Sequence, residues 1–68
     1  MTALYVEIQG PIDSRALFEL LSEFGKVNVT DMDSTVLVYG ELPFISAVTA
    51  LSFCSDFGDI IKSSITKL

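Results

Sequence analysis

Histidine and tryptophan are absent from this chain of 68 residues, cysteine occurs once and proline twice. Without histidine the chain lacks the commonest general base and the commonest transition-metal ligand, which weighs against acid–base and metal chemistry. With one cysteine it can form no intrachain disulfide, so its core must be built by packing alone. Cys54 sits in an apolar run and reads as a buried thiol, in keeping with a reducing, cytoplasmic compartment. Positive charge is also scarce: four basic residues stand against nine acidic ones, a net charge of −5. That balance repels phosphate backbones and excludes a general nucleic-acid binder. The first residues lack the basic start and long apolar stretch of a signal peptide. No apolar run approaches the ~20 residues of a membrane span, so no membrane partner is expected.

Half of the residues are hydrophobic, and the length allows one small, marginally stable domain. Its organisation is written in a repeat. Ser22-Glu23-Phe24-Gly25-Lys26-Val27 is echoed by Ser55-Asp56-Phe57-Gly58-Asp59-Ile60, 33 residues later. Each copy follows an apolar, helix-like run and precedes a β-prone one. The pattern reads as a helix ending with Phe turned inward and Gly supplying a positive φ, followed by a strand. Two such endings imply two β-α-β units in tandem.

Alternation of Leu4, Val6 and Ile8 with Tyr5, Glu7 and Gln9 predicts a half-buried strand over 2–9, which Gly10-Pro11 breaks. Asp13 suits an N-cap, with Ile12 and Leu17 spaced for a hydrophobic staple. Ala16, Leu17, Leu20, Leu21 and Phe24 make the apolar face of a helix over 13–24 that Gly25 ends. A second strand is predicted over 26–30, turn chemistry at Asp31-Met32-Asp33-Ser34, and a third strand over 34–40. Pro43 suits the first position of a second helix over 43–57, ended by Gly58. A fourth strand over 59–66 has its alternation blurred by Ile60-Ile61 and Ser63-Ser64. The order βαββαβ with right-handed crossovers is solved by an α+β ferredoxin-like plait: one domain, four antiparallel strands in the order 4-1-3-2, both helices on one face.

Two surfaces stand out. From Leu42 to Ser55 no residue is charged, and the polar side chains of the second helix are Ser46, Thr49, Ser52 and Ser55. A helix facing water carries Lys and Glu outside, so this stretch points to a contact face. On the open face of the sheet, Tyr5 and Tyr39 fall on neighbouring strands. Leu4-Tyr5-Val6 resembles the start of the first signature of RNA-recognition motifs, which would make the two tyrosines a base-stacking pair. The acidic net charge, Glu7 between the stacking positions and the lack of a basic residue from Ser34 to Glu41 weigh against it.

Three motif matches fall away on context. Asp31-Met32-Asp33-Ser34-Thr35 fits the D-x-D-x-T string of haloacid-dehalogenase-type phosphatases, but on a hairpin turn it has no parallel sheet to stand on. An EF-hand loop opening at Asp31 lacks its central glycine and has Leu42 where a bidentate Glu is needed. Asn28-Val29-Thr30 fits a glycosylation sequon, but inside a strand.

Ile8 to Arg15, Phe24 to Asn28 and Asp33 to Gly40 together resemble a shortened acylphosphatase. That family shares the plait. The resemblance implies a phosphate held by the loop after the first strand and by Arg15, with Asn28 positioning water. The stretch from Ile8 to Val29 resembles ACT-type regulatory domains, which share the element order and pair through strands or helices. This second resemblance implies a small anionic ligand at Gly10, Asp13, Ser14 and Arg15. With histidine absent, the leading expectation is a non-catalytic interaction module that self-associates or docks on a protein partner. Its interfaces would carry Ser46, Thr49, Ser52, Tyr5 and Tyr39. The ACT-like domain and the acylphosphatase-like hydrolase are the alternatives. No cofactor, metal or nucleic acid is expected.

Overall fold

The computed structural model describes residues 1–68 in six elements: β1 (Thr2–Gln9), α1 (Ser14–Leu21), β2 (Val27–Met32), β3 (Thr35–Leu42), α2 (Phe44–Phe57) and β4 (Asp59–Lys67). The strands form one antiparallel sheet in the order β2-β3-β1-β4, with β2 and β4 at its edges. This is the ferredoxin-like plait. Its core is the helix-facing side of the alternation. Leu4, Val6 and Ile8 of β1, Val27 of β2, and Val36, Val38 and Leu42 of β3 are buried against Leu17 and Leu21 of α1 and Ala47, Ala50 and Cys54 of α2. Thr2 shares that face, and its hydroxyl donates to the Leu42 carbonyl at 2.9 Å. α1 lies over β2, while α2 lies over β1 and β4.

Several expectations shift in detail. α1 stops at Leu21 rather than 24. The Ser22 hydroxyl turns back onto the Glu19 carbonyl at 2.9 Å, and the Glu23 and Phe24 amides reach only three residues back, to Leu20 and Leu21. A competing side-chain hydrogen bond and a tightening last turn account for the early end. Within the shorter helix, Leu17 and Leu21 are fully buried. Leu20, expected at the centre of the apolar face, is half-buried and outside the core cluster. The strand ladder of the hairpin runs to Met32↔Thr35, so the turn contracts to Asp33-Ser34, with Asp33 at φ 56°. Asp tolerates that left-handed conformation, which a two-residue hairpin loop needs. Pro43 is the N-cap of α2 rather than its first helical residue, and its carbonyl accepts from the Ala47 amide at 2.9 Å.

The two glycines of the repeat differ. Gly25 has φ 146°, as a turn glycine should. Gly58 has φ 178°, extended backbone that any residue adopts, so its glycine is not required by conformation. Phe24 and Phe57 are both half-buried against the core, as the repeat implies. The blurred alternation of β4 has a concrete cause. Glu7 pairs with Lys62 and Ile8 with Ile60, leaving Ile61 as the extra residue of a β-bulge.

The thiol of Cys54 is fully enclosed, and burial pushes its pKa from the ordinary 9.0 up to about 11. Because the folded chain keeps the neutral thiol, this contribution to stability is complete below pH 9 and is lost as pH rises through about 11. Urea midpoints measured across that interval should fall more steeply for wild type than for Cys54→Ala. Native protein should also resist alkylation until it is unfolded. Rapid labelling of the folded chain would show that α2 does not hold the thiol against the sheet.

Candidate functional site

The loop after β1 is ordered by its own hydrogen bonds. The Gly10 amide donates to the Ser34 carbonyl at 3.0 Å, the Asp13 carboxylate accepts from the Ala16 amide at 3.1 Å, and the Ser14 hydroxyl donates to Asp31 Oδ2 at 2.8 Å. Two carboxylates thus stand at the start of α1, where an anion would otherwise be welcome. Arg15 is exposed. Asn28 is exposed between the inward-facing Val27 and Val29 and pairs with Tyr39, so it belongs to the open face of the sheet. The α1 side and the open side are opposite faces, so Arg15 and Asn28 do not converge on one substrate. Gly10, Asp13, Ser14 and Arg15 are adjacent, but Ser14 and Asp13 are already occupied and no cavity opens among the four.

Tyr5 and Tyr39 are direct cross-strand partners, in a row that continues to Asn28 on β2 and Ser64 on β4. Each phenol donates to a carboxylate two residues on: Tyr5 to Glu7 Oε2 at 2.6 Å and Tyr39 to Glu41 Oε2 at 3.4 Å. The hydrogen bond to Glu7, then burial and the charge of Glu7, raise the Tyr5 pKa above its ordinary 10.0. Glu7 in turn lies across from Lys62. The row above the tyrosines therefore mixes charges of both signs, and the phenols sit beside acids that would repel a phosphate backbone.

The helix α2 is unusual in what it buries. α1 is sharply amphipathic, whereas α2 is apolar nearly all round. Its fully buried residues are small ones, Ala47, Ala50 and Cys54, while Phe44, Ile45 and Val48 are 60%, 78% and 44% exposed. Of the polar positions singled out from sequence, Ser52 is exposed and Ser46 and Thr49 are half-buried. Thr49 folds its hydroxyl back onto the Ile45 carbonyl at 3.0 Å. The centre of the outer face is thus Ile45, Val48 and Ser52 rather than the serine–threonine stripe. The signal was present in the sequence: the helical spacing of Ala47, Ala50 and Cys54 marks a side on which small residues let α2 approach the sheet closely, which turns the large ones outward.

Phe53 on one flank of α2 packs against Phe24, with ring centroids 5.7 Å apart. That flank faces α1, so Phe44, Val48, Leu51 and Ser55 lie on the flank over β4. A cavity of about 360 Å³ there is lined by Met1, Thr2, Phe44, Ile65 and Lys67. β4 itself is barely covered: only Ile60 and Ile65 of its nine residues are even half-buried. No cluster of three or more His, Cys, Asp or Glu side chains is placed to hold a metal ion, and no helix is long and apolar enough to cross a membrane. No protein-family model, curated protein or solved structure matches this chain.

Proposed function

We propose that the protein is a non-catalytic interaction module that works by presenting a preformed apolar surface, the outer face of α2 with the neighbouring edge strand β4, to another protein surface. The observation that carries this reading is the composition of α2. A helix facing water carries charges along its outer face, yet α2 has none before Asp56 in its last turn, and Phe44, Ile45 and Val48 face outward. Uncharged residues extend from Leu42 to Ser55 in a chain with thirteen charged ones elsewhere. The loop at Gly10–Arg15 supports a ligand-binding or hydrolytic reading less well, because Gly10, Asp13 and Ser14 already have hydrogen-bond partners and the candidate catalytic residues Arg15 and Asn28 lie on opposite faces.

The test is a titration with inorganic phosphate followed by amide NMR shifts, alongside an assay of acyl-phosphate turnover. Phosphate should produce no saturable shift from Gly10 to Arg15, and turnover should match the rate without protein. Saturable shifts there, or turnover lost in Arg15→Ala, would overturn the reading in favour of an anion-binding or hydrolytic domain.

A further inference from the structure

Resting on the reading of α2 and β4 as a contact surface, we infer that its occupant is a second copy of this chain. Two β4 strands pair antiparallel about a twofold axis, joining two sheets into one of eight strands and bringing the two α2 helices side by side. Three features of the molecule favour this partner.

The first is placement. α2 lies chiefly over β1 and leans toward β4, with Phe44 and Ile65 lining the cavity between helix and edge strand. Pairing β4 with β4 about a twofold axis sets the two α2 helices on the same face of the joined sheet, their uncovered flanks turned toward each other across the seam. The residues on the facing flanks are Phe44, Val48, Leu51 and Ser55, none of them charged. The edge contact and the helix contact are satisfied by the same placement.

The second is charge. Two copies at −5 each repel, so a contact between them must fall where acids are few or matched. The flank along α1 and β2 fails: Asp13, Glu19, Glu23 and Asp31 there outnumber Arg15 and Lys26. The β4 flank is polar only along its length. Asp56 and Asp59 lie at the end where α2 meets β4, Lys62 further along, and Lys67 at the far end. An antiparallel pair sets the acidic end of each copy against the basic end of the other, twice by symmetry.

The third is area. The molecule measures 30 × 21 × 17 Å. Strands of eight residues are about 27 Å long and four of them about 19 Å wide, so the side beyond β4 is the 30 × 17 Å one. It offers at most roughly 500 Å² of projected area per copy, or about 1,000 Å² in the pair, the lower bound for a specific interface.

Sedimentation of the intact chain from micromolar to millimolar concentration should show a dimer. Val48→Lys places a charge on the α2 flank and should raise the dissociation constant on the order of a hundredfold or more. Ser22→Lys on the α1 side should change it by no more than about threefold. Val48 is already partly exposed, so the two variants should melt alike at concentrations where both are monomeric. Single substitutions Ser63→Cys, Ser64→Cys, Ile65→Cys and Thr66→Cys then read the register: on oxidation, one or two of them should form covalent dimers and Ser22→Cys none, with buried Cys54 silent. A chain still monomeric at millimolar concentration overturns the pairing of copies and leaves the contact surface to a different protein. A dimer indifferent to Val48→Lys and linked through none of the β4 cysteines overturns the geometry. Phosphate binding at Gly10–Arg15 in a protein that still dimerises this way would overturn the functional reading and spare the dimer.

Discussion

Leu21→Ala is expected to lower the stability of the fold by about 2–5 kcal/mol, the range for truncating a fully buried leucine. A domain of this size has on the order of 3–10 kcal/mol in total, so the variant should lie near its unfolding threshold or beyond it. The reason is local. α1 has eight residues and only two fully buried ones, Leu17 and Leu21, one helical turn apart. Together they hold the helix to the sheet beside Val27, and so short a helix has little stability without that packing. Leu20→Ala is the matched control, because Leu20 lies ~80° round the helix from the centre of the buried pair and stands outside the core cluster. Urea denaturation of both variants should show a loss at Leu21 at least twice that at Leu20, a partial burial of the side chain giving a partial loss. Equal losses would mean that the helix is rotated and that Leu20 shares the core.

The difference between these two leucines illustrates what the sequence carries and what it leaves open. Leu4, Val6 and Ile8 alternate cleanly with polar neighbours, so the position and facing of β1 follow from its period alone; the plait puts Tyr5 and Tyr39 on neighbouring strands, while the register that pairs them is set by the ladder itself. Along α1 the apolar positions Ala16, Leu17, Leu20 and Leu21 cover a broad arc. Which pair points to the core depends on how the helix rolls against β2, a tertiary matter. α2 is harder still. An all-round apolar helix has no preferred face by pattern, and the usual rule that large residues go inward is reversed by Ala47, Ala50 and Cys54, which allow close packing. The serine–threonine stripe was the visible periodicity, but it is the small-residue side that is buried, and exposure falls opposite it. The bulge at Ile61 left a trace as broken alternation, which signals an irregularity without saying which residue is extra. At the loop after β1, the residue types suit an anion, and only the three-dimensional arrangement reveals that Asp31, distant in sequence, already holds Ser14.

The occupied loop and the uncovered helix bear on function in opposite ways. Polar groups that satisfy one another inside one chain, as Ser14 with Asp31 and Tyr5 with Glu7 do, gain little from a ligand that would have to displace them. Exposed Phe44, Ile45 and Val48 have no such competing partner, and covering them with apolar surface is favourable wherever the shapes fit. The free edge of β4 adds unpaired backbone groups to the same flank. Its lysines and bulge are the devices that keep an edge strand from indiscriminate pairing, which leaves pairing to a partner whose charges and register match.

Substitution of the repeat glycines should produce the other large effect, and for two different reasons. Gly25→Ala meets both a backbone and a packing obstacle: φ is 146°, and a Cβ there would sit 2.6 Å from Leu42 Cδ2, the end of a side chain that is itself fully buried. Strain of about 1–3 kcal/mol adds to about 1–3 kcal/mol of overpacking, for a loss of roughly 2–6 kcal/mol. Gly58→Ala has no backbone strain at φ 178°, but its Cβ would stand 2.9 Å from the Gln9 carbonyl oxygen, 3.0 Å from Ile8 Cγ2 and 3.1 Å from Ile12 Cδ1. A backbone oxygen cannot swing aside as a side chain can, so β4 would be pushed from the end of β1. The expected loss is about 1–3 kcal/mol, offset by about 0.4–1 kcal/mol from the stiffer unfolded chain. Gly10→Ala separates the two terms, because φ there is 124° and nothing lies within 4 Å of the new atom. Its loss reports strain alone. Urea unfolding of the three variants should rank Gly25 above Gly58 and Gly10, with the Gly25 loss exceeding the Gly10 loss by the packing contribution. Moving β4 also moves the edge that pairs two copies, so Gly58→Ala should weaken dimerisation more than its stability loss implies, whereas Gly25→Ala, on the far side of the sheet, should not. A Gly58→Ala variant as stable as wild type and dimerising equally well would mean that β4 has room to shift, and that its exact position is not what aligns the two copies.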